Sequence, residues 1–254
     1  MLRLLCLVNA LFVFVSVPLS AAEAEGKTLV RLVVAGNLAQ ALVVADQLIS
    51  QSKQTVASNP DPKSSWTAMN IYQVGYYLCA KAQLLALQKH DREAEQVFEQ
   101  AEQYAAAHPE FKYHLIEPGW QEVINGTRGL LLEKKGDLKA AQAVYESTRS
   151  EDAFARLALL ALRRGDQDEA GRWARKSDFG PTSLLVLGRL EELRQKRLDK
   201  GQRPIKSDAA ARRYHQAWLK LQEGATGELH IWLPIFYCEA EAIAEAHNRL
   251  PPPR

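Results

Sequence analysis

The sequence has little sulfur: three cysteines and two methionines in 254 residues. So few thiols exclude the disulfide-dense frameworks on which many small secreted domains depend. It also lacks a strong excess of charge. With 32 Lys and Arg against 30 Asp and Glu, the formal net charge of +2 at pH 7 singles out neither nucleic acid nor an anionic membrane as partner. No alternating apolar-polar run of strand length stands out, and Ala, Leu, Gln, Glu, Arg and Lys together dominate over Val, Ile and Thr, so strands are not expected. Local signals for common chemistry are missing too: there is no nucleotide-binding glycine loop, no nucleophile elbow and no HExxH. What remains, 47% hydrophobic and 24% charged, is long enough to bury a substantial core and reads as all-helical.

The first residues carry one positive charge at Arg3, an apolar run from Leu4 to Val17, and small side chains at Ser20, Ala21, Ala22 and Ala24. This is the layout of a secretory signal, with cleavage expected after Ala22 or Ala24; an uncleaved anchor is the alternative, the run being shorter than the ~20 residues a spanning helix needs. Later segments are not long and apolar enough to cross a bilayer, so membrane contact is expected only through a retained signal. Processing would leave Cys79 and Cys238, which either close a long loop as a disulfide or remain two small buried hydrophobes. The signal layout and the scarcity of cysteine together point to a periplasmic address, with secretion from another kind of cell as the alternative.

The clearest structural unit is Gly75 to Pro109, GYYLCAKAQLLALQKHDREAEQVFEQAEQYAAAHP. Leu78, Ala82 and Leu85 before the turn at Lys89-His90-Asp91, and Ala94, Phe98 and Ala101 after it, recur at the spacing of one buried helical face. Alanine at 82 and 94 allows close backbone approach, and Phe98 fills the space beside them. Similar sets follow: Gly129, Leu132, Gly136-Asp137, Ala141 and Tyr145; then Phe154, Ala158, Gly165-Asp166 and Ala170, with Pro181 at the end. A weaker set precedes them, with a turn at Gly36-Asn37 between helices over 27–35 and 38–52, and Ala41, Ala45 and Leu48 on the second. Residues 54–65 read as a surface connection, with Ser64 or Ser65 capping the next helix. A loop is expected over 108–119, and the helix after it near Pro118. Leu184, Leu187 and Gly188 open a fifth, extended pair whose second helix is capped by Ser207 and contains Ala211, His215 and Trp218. A last helix over 228–250, kinked at Pro234, ends at the prolines of the 251–254 tail.

These units resemble the tetratricopeptide repeat (TPR), a helix-turn-helix of about 34 residues with small and bulky side chains at such offsets. The match is best over 75–181; Lys81 stands where leucine is usual, and the proline at 109 comes late. The resemblance implies an all-α, right-handed solenoid over 25–250, with four to five antiparallel pairs and a C-terminal capping helix. It further implies a concave face lined by the first helix of each pair, where Asn70, Gln73, Tyr77, Lys81, Asn125 and Arg128 would meet a peptide. Trp120, just past a loop, is a further surface candidate.

Basic residues concentrate from Arg189 to Lys220, with Arg203, Lys206, Arg212 and Arg213 as the surface; it either meets an anionic partner, such as a phospholipid head group, a glycan or an acidic protein face, or is an ordinary solvated helix and loop surface. Acids predominate from Asp91 to Glu117. His108, Glu110, His114 and Glu117 share one loop where an acid and a base can converge, the ordinary alternative being a surface turn. His230, Cys238 and His247 make a metal set only on paper, because nine residues put Cys238 and His247 on opposite sides of one helix. The expectation is an exported scaffold or adaptor that holds a peptide or helix of an envelope protein, with no catalysis, no cofactor, no metal and no nucleic acid. A glycan-associated factor using the basic stretch, with weak chemistry in the histidine loop, and self-assembly into homo-oligomers are the competing expectations.

Overall fold

The computed structural model describes residues 21–59, 61, 64–109, 119–177, 180–198, 208–226 and 239–250. Among these residues there are eleven helices and no strand. They are α1 (Ala21–Val34), α2 (Leu38–Ser58), α3 (Ser65–Leu87), α4 (Asp91–Ala107), α5 (Trp120–Lys135), α6 (Leu138–Thr148), α7 (Glu151–Arg163), α8 (Gln167–Lys176), α9 (Pro181–Leu198), α10 (Ala209–Thr226) and α11 (Ala240–Arg249). None is long and apolar enough to cross a membrane among the described residues.

The first four pairs are made by one turn used four times. Gly36, Lys89, Gly136 and Gly165 all have positive φ, between 65° and 85°. In each, that residue's amide bonds the carbonyl three back and the next amide bonds five back: Asn37 to Leu32, His90 to Leu85, Asp137 to Leu132 and Asp166 to Ala161. This double bond satisfies the carbonyls left open at a helix end. In three copies the following residue then starts the next helix, since Asn37, Asp137 and Asp166 accept from the amides of Gln40, Ala140 and Glu169. His90 makes no such side-chain cap, and Lys89 adopts the left-handed conformation without being glycine. The second copy of the turn is therefore tuned less well than the others by its own sequence.

Small residues sit where the helices of a pair cross. Ala82, Ala94, Ala141, Ala158 and Ala170 are fully buried. At Gly129 of α5, an added Cβ would fall 2.4 Å from the ring of Tyr145 on α6; Gly188 of α9 faces Tyr214 of α10 at the same distance. The aromatic ring of one helix thus lies directly on the backbone of the other, a contact only glycine permits.

Consecutive helices pack together along the chain from α1 to α10. The two ends also meet: α1 packs against α10 and touches α11, and α11 lies on α10 and α9. One buried apolar cluster therefore runs from Leu29 and Val33 of α1 through α3 to Tyr214, Leu221, Ile243 and Ala246 of the last helices. Helix α2 continues to Ser58, beyond the expected end at 52. The Thr55 and Ser58 hydroxyls donate to the carbonyls four residues back, and Val56 packs on the core. The connection expected over 54–65 is correspondingly shorter. Ser64 takes the cap position of α3 without a side-chain cap bond. Residues 1–20, Pro118, Ser207, Pro234 and the 251–254 tail lie outside the described residues; the two expected cleavage positions, Ala22 and Ala24, fall in the first turn of α1.

Candidate functional site

Three of the residues expected on an open face belong to the core. Asn70, Tyr77 and Trp120 are 5%, 6% and 8% exposed. Asn70 spends its amide on the Trp66 carbonyl one turn back (2.8 Å), and the Tyr77 hydroxyl lies against Gly26 of α1. The Trp120 ring sits on Gly75 of α3, where a Cβ would come within 2.7 Å, beside Tyr72 and Tyr104. The physical reason is that α3 has neighbours on every side. It packs on α2, α4 and α5, and Tyr77 carries it to α1, so a face read as exposed from one helical period is covered by another helix.

The charged candidates staple neighbouring pairs. Lys81 of α3 reaches Asp46 of α2 at 2.6 Å, and Arg128 of α5 pairs with Glu102 of α4 while its guanidinium lies 5.8 Å over the Phe98 ring. Asn125 accepts from Gln121 and from Arg128. Gln73 is half-buried. Each of these two cations thus ties a helix to the second helix of the preceding pair.

Sequence reasoning missed the most enclosed charged side chain among the described residues. Arg156, 2% exposed on α7, donates through Nε and Nη2 to the two oxygens of Glu133 on α5 (3.0 and 2.6 Å), and through Nη1 to Glu239, immediately before α11 (3.0 Å). Tyr145 donates to the same Glu133 carboxylate (2.8 Å), and half-exposed Arg163 reaches both Glu133 and Glu239. Two cations and two carboxylates balance, which is the condition for burying charge at all. Burial by itself would raise the Glu133 carboxyl, but the Arg156 charge and hydrogen bond, then Tyr145 and Arg163, outweigh it and hold the group below its ordinary value. Nearby on α7, half-buried Asp152 goes the other way. Lost hydration first, then the carboxylates of Glu122 and Glu151, push it well above the usual range. The available signal for the network was an arginine and a leucine-alanine run on the same face, in EDAFARLALLALR.

The other end of α11 is held separately. His247 stacks on Trp218 of α10 (5.4 Å between centroids), and its Nε2 lies 3.2 Å from Nδ1 of His215. Arg249 bonds Glu192 of α9 at 2.7 Å. Between these ends Ala240, Ile243 and Ala246 are buried. The basic stretch is thereby partly neutralised: Arg189 pairs with Glu192 and lies over the buried Tyr214 ring, and Arg212 pairs with Asp208. Arg213 is half-buried beside Gln216. Arg203 and Lys206 lie outside the described residues.

Cations with no ion pair among the described residues gather instead on α8. Arg172, Arg175 and Lys176 line, with Trp173 and Glu169, a recess of about 290 Å3, and the Lys176 ammonium lies 4.6 Å over Trp173, which stacks on Phe154. Of the histidine loop only His108 is described, packed against Tyr104; Glu110, His114 and Glu117 lie outside, as do His230 and Cys238. Cys79 is a free, buried thiol, pushed up to about 12 chiefly by burial. Comparison with known family models, with curated proteins and with solved structures finds no match to this chain.

Proposed function

We propose that the chain is a TPR-like helical repeat protein whose work is to bind a helix or peptide of another protein, without chemistry of its own. Repetition of one turn and one small-residue crossing in successive pairs supports the repeat reading. The observation that carries the binding reading is the seat of α11: the faces of α9, α10 and α1, with Arg156 and Arg163 at one end, already grip a helix. A solenoid built this way offers first helices as a lining, and a helix laid on them is the recognition mode such linings serve. With a secretory signal in front, the partner is a component of the cell envelope, and the role is a scaffold or adaptor in its assembly.

The test is capture from an envelope extract by the processed protein, read by mass spectrometry beside a Glu192→Arg variant. A protein retained by the wild type and lost by the variant supports the adaptor; identical sets, or empty ones, sink it. One observation favours a second reading, an anionic partner such as a glycan or an acidic protein face. The α8 cations Arg172 and Arg175 make no ion pair among the described residues and border the Trp173 recess. Arg172→Glu with Arg175→Glu would abolish capture of that partner and leave helix binding unchanged.

A further inference from the structure

The seat of α11 specifies what can replace it. We propose that α11 is an intramolecular ligand occupying the helix-binding face, and that the external partner is an amphipathic helix with α11's pattern. That pattern is a carboxylate immediately before the first turn, small or branched apolar side chains three residues apart, and a cation in the last turn. This deepens the helix-binding reading above and rests on it.

Four observations set the pattern. At the leading end, Glu239 meets buried Arg156 and half-exposed Arg163, and an acid there balances the one cation that Glu133 leaves over. At the trailing end, Arg249 meets Glu192, whose carboxylate also faces Arg189. The seat therefore presents cations to one end of α11 and a carboxylate to the other, and a helix entering backwards would set acid against acid and base against base. Between them, Ala240, Ile243 and Ala246 fall on one face and are buried, so the floor of the seat accepts short side chains and one branched one. The requirement also suits any helix in itself, since acids near the start and bases near the end complement the macrodipole.

Three features mark α11 as the replaceable element. It has ten residues, shorter than the length at which an isolated helix persists in water, so its helicity is a consequence of docking. It buries three apolar side chains, whereas α3 is buried on nearly every turn. Its polar holds are at its ends, and one of them, Arg249, is 44% exposed. A partner that fits the same seat with more buried surface displaces it by mass action.

The experiment uses the full-length protein and a fluorescein-labelled synthetic peptide with the sequence of residues 239–250, followed by fluorescence anisotropy. The protein is compared as wild type and as Ile243→Ala, which weakens the resident helix, after circular dichroism has shown that the body of the variant remains folded at the assay temperature. The peptide is expected to bind the Ile243→Ala chain about tenfold more tightly, because apparent affinity scales with the fraction of vacant seats. Glu192→Arg should weaken that binding, and a peptide carrying glutamate in place of its arginine should restore it. Equal affinity for wild type and variant, no binding to either, or indifference to the charge exchange overturns the inference. So does a wild-type dimer that the peptide dissolves, which would assign the resident helix to a second copy. Peptide binding with an empty envelope capture would keep this occupancy and remove the adaptor; a captured envelope protein with no peptide binding would do the reverse.

Discussion

Helix α5 meets its two neighbouring first helices in opposite ways. Toward α3 it presents Trp120, whose ring lies on the Gly75 backbone among Tyr72 and Tyr104. Toward α7 it presents Glu133, which grips Arg156 and through it Glu239. The first contact is apolar and shape-determined, and it joins two pairs permanently. The second is directional and depends on a third partner from beyond the fold's last pair. Apolar packing tolerates no substitute of another volume but asks nothing of distant residues. A buried ionic junction is satisfied only when every member is in place. The junction is thus complete only with Glu239, at the start of the C-terminal helix, in place.

The largest effect should come from breaking that junction. Arg156→Ala leaves the Glu133 carboxylate enclosed without its principal partner and is expected to cost about 3–5 kcal/mol in urea unfolding. Replacing the pair together, Arg156→Met with Glu133→Leu, should recover most of it; a double variant as unstable as the single would mean the charges are not the reason for the loss. On the apolar side, Gly129→Ala is expected to cost about 1–3 kcal/mol, because its new methyl would meet the Tyr145 ring and Tyr145 is wholly buried. Tyr145 also donates to Glu133, so this one substitution tests how the two kinds of contact are coupled.

Acid should separate them further. Glu133 has a folded-state value below its unfolded one, so its contribution is fully present above the unfolded value of about 4.3 and is lost as pH falls through the lower folded value. Wild-type stability should therefore fall on that limb, and Glu133→Gln should flatten it. Asp152 carries the opposite sign. Its folded value is raised, so it weighs against folding as pH rises above the unfolded value of about 3.9. Asp152→Asn should accordingly stabilise the protein at pH 7 by the smallest margin of the set. Thermal melts between pH 3 and pH 7 would show both, and a wild-type profile parallel to either variant would remove the corresponding assignment.

The pairing of helices was legible from sequence because its determinants are local. Glycine or a polar residue at the turn, and alanine at 82, 94, 141, 158 and 170, act within one pair and repeat. The Lys89 turn is legible from its flanks although it lacks glycine. What could not be read was which neighbour covers which face. Tyr77 and Trp120 are amphipathic side chains whose exposure depends on α1 and α3, elements remote in the chain, and one period along α3 holds no record of them. Arg156 was overlooked for a related reason. A lone cation in an apolar helix acquires meaning only from carboxylates 23 and 83 residues away.

The contact of α1 with α10 removes something every open repeat array has, a free end from which to fray. In an open stack each unit leans on its neighbours alone, and unfolding can start at either terminus and propagate. Here the first and last pairs share one apolar cluster, so losing either exposes the other. The molecule is expected to melt as a single cooperative unit. The corresponding cost is kinetic: the contacts of α1 with α10 join segments nearly the whole chain apart, and closing so long a loop slows folding relative to a stack held by local contacts alone.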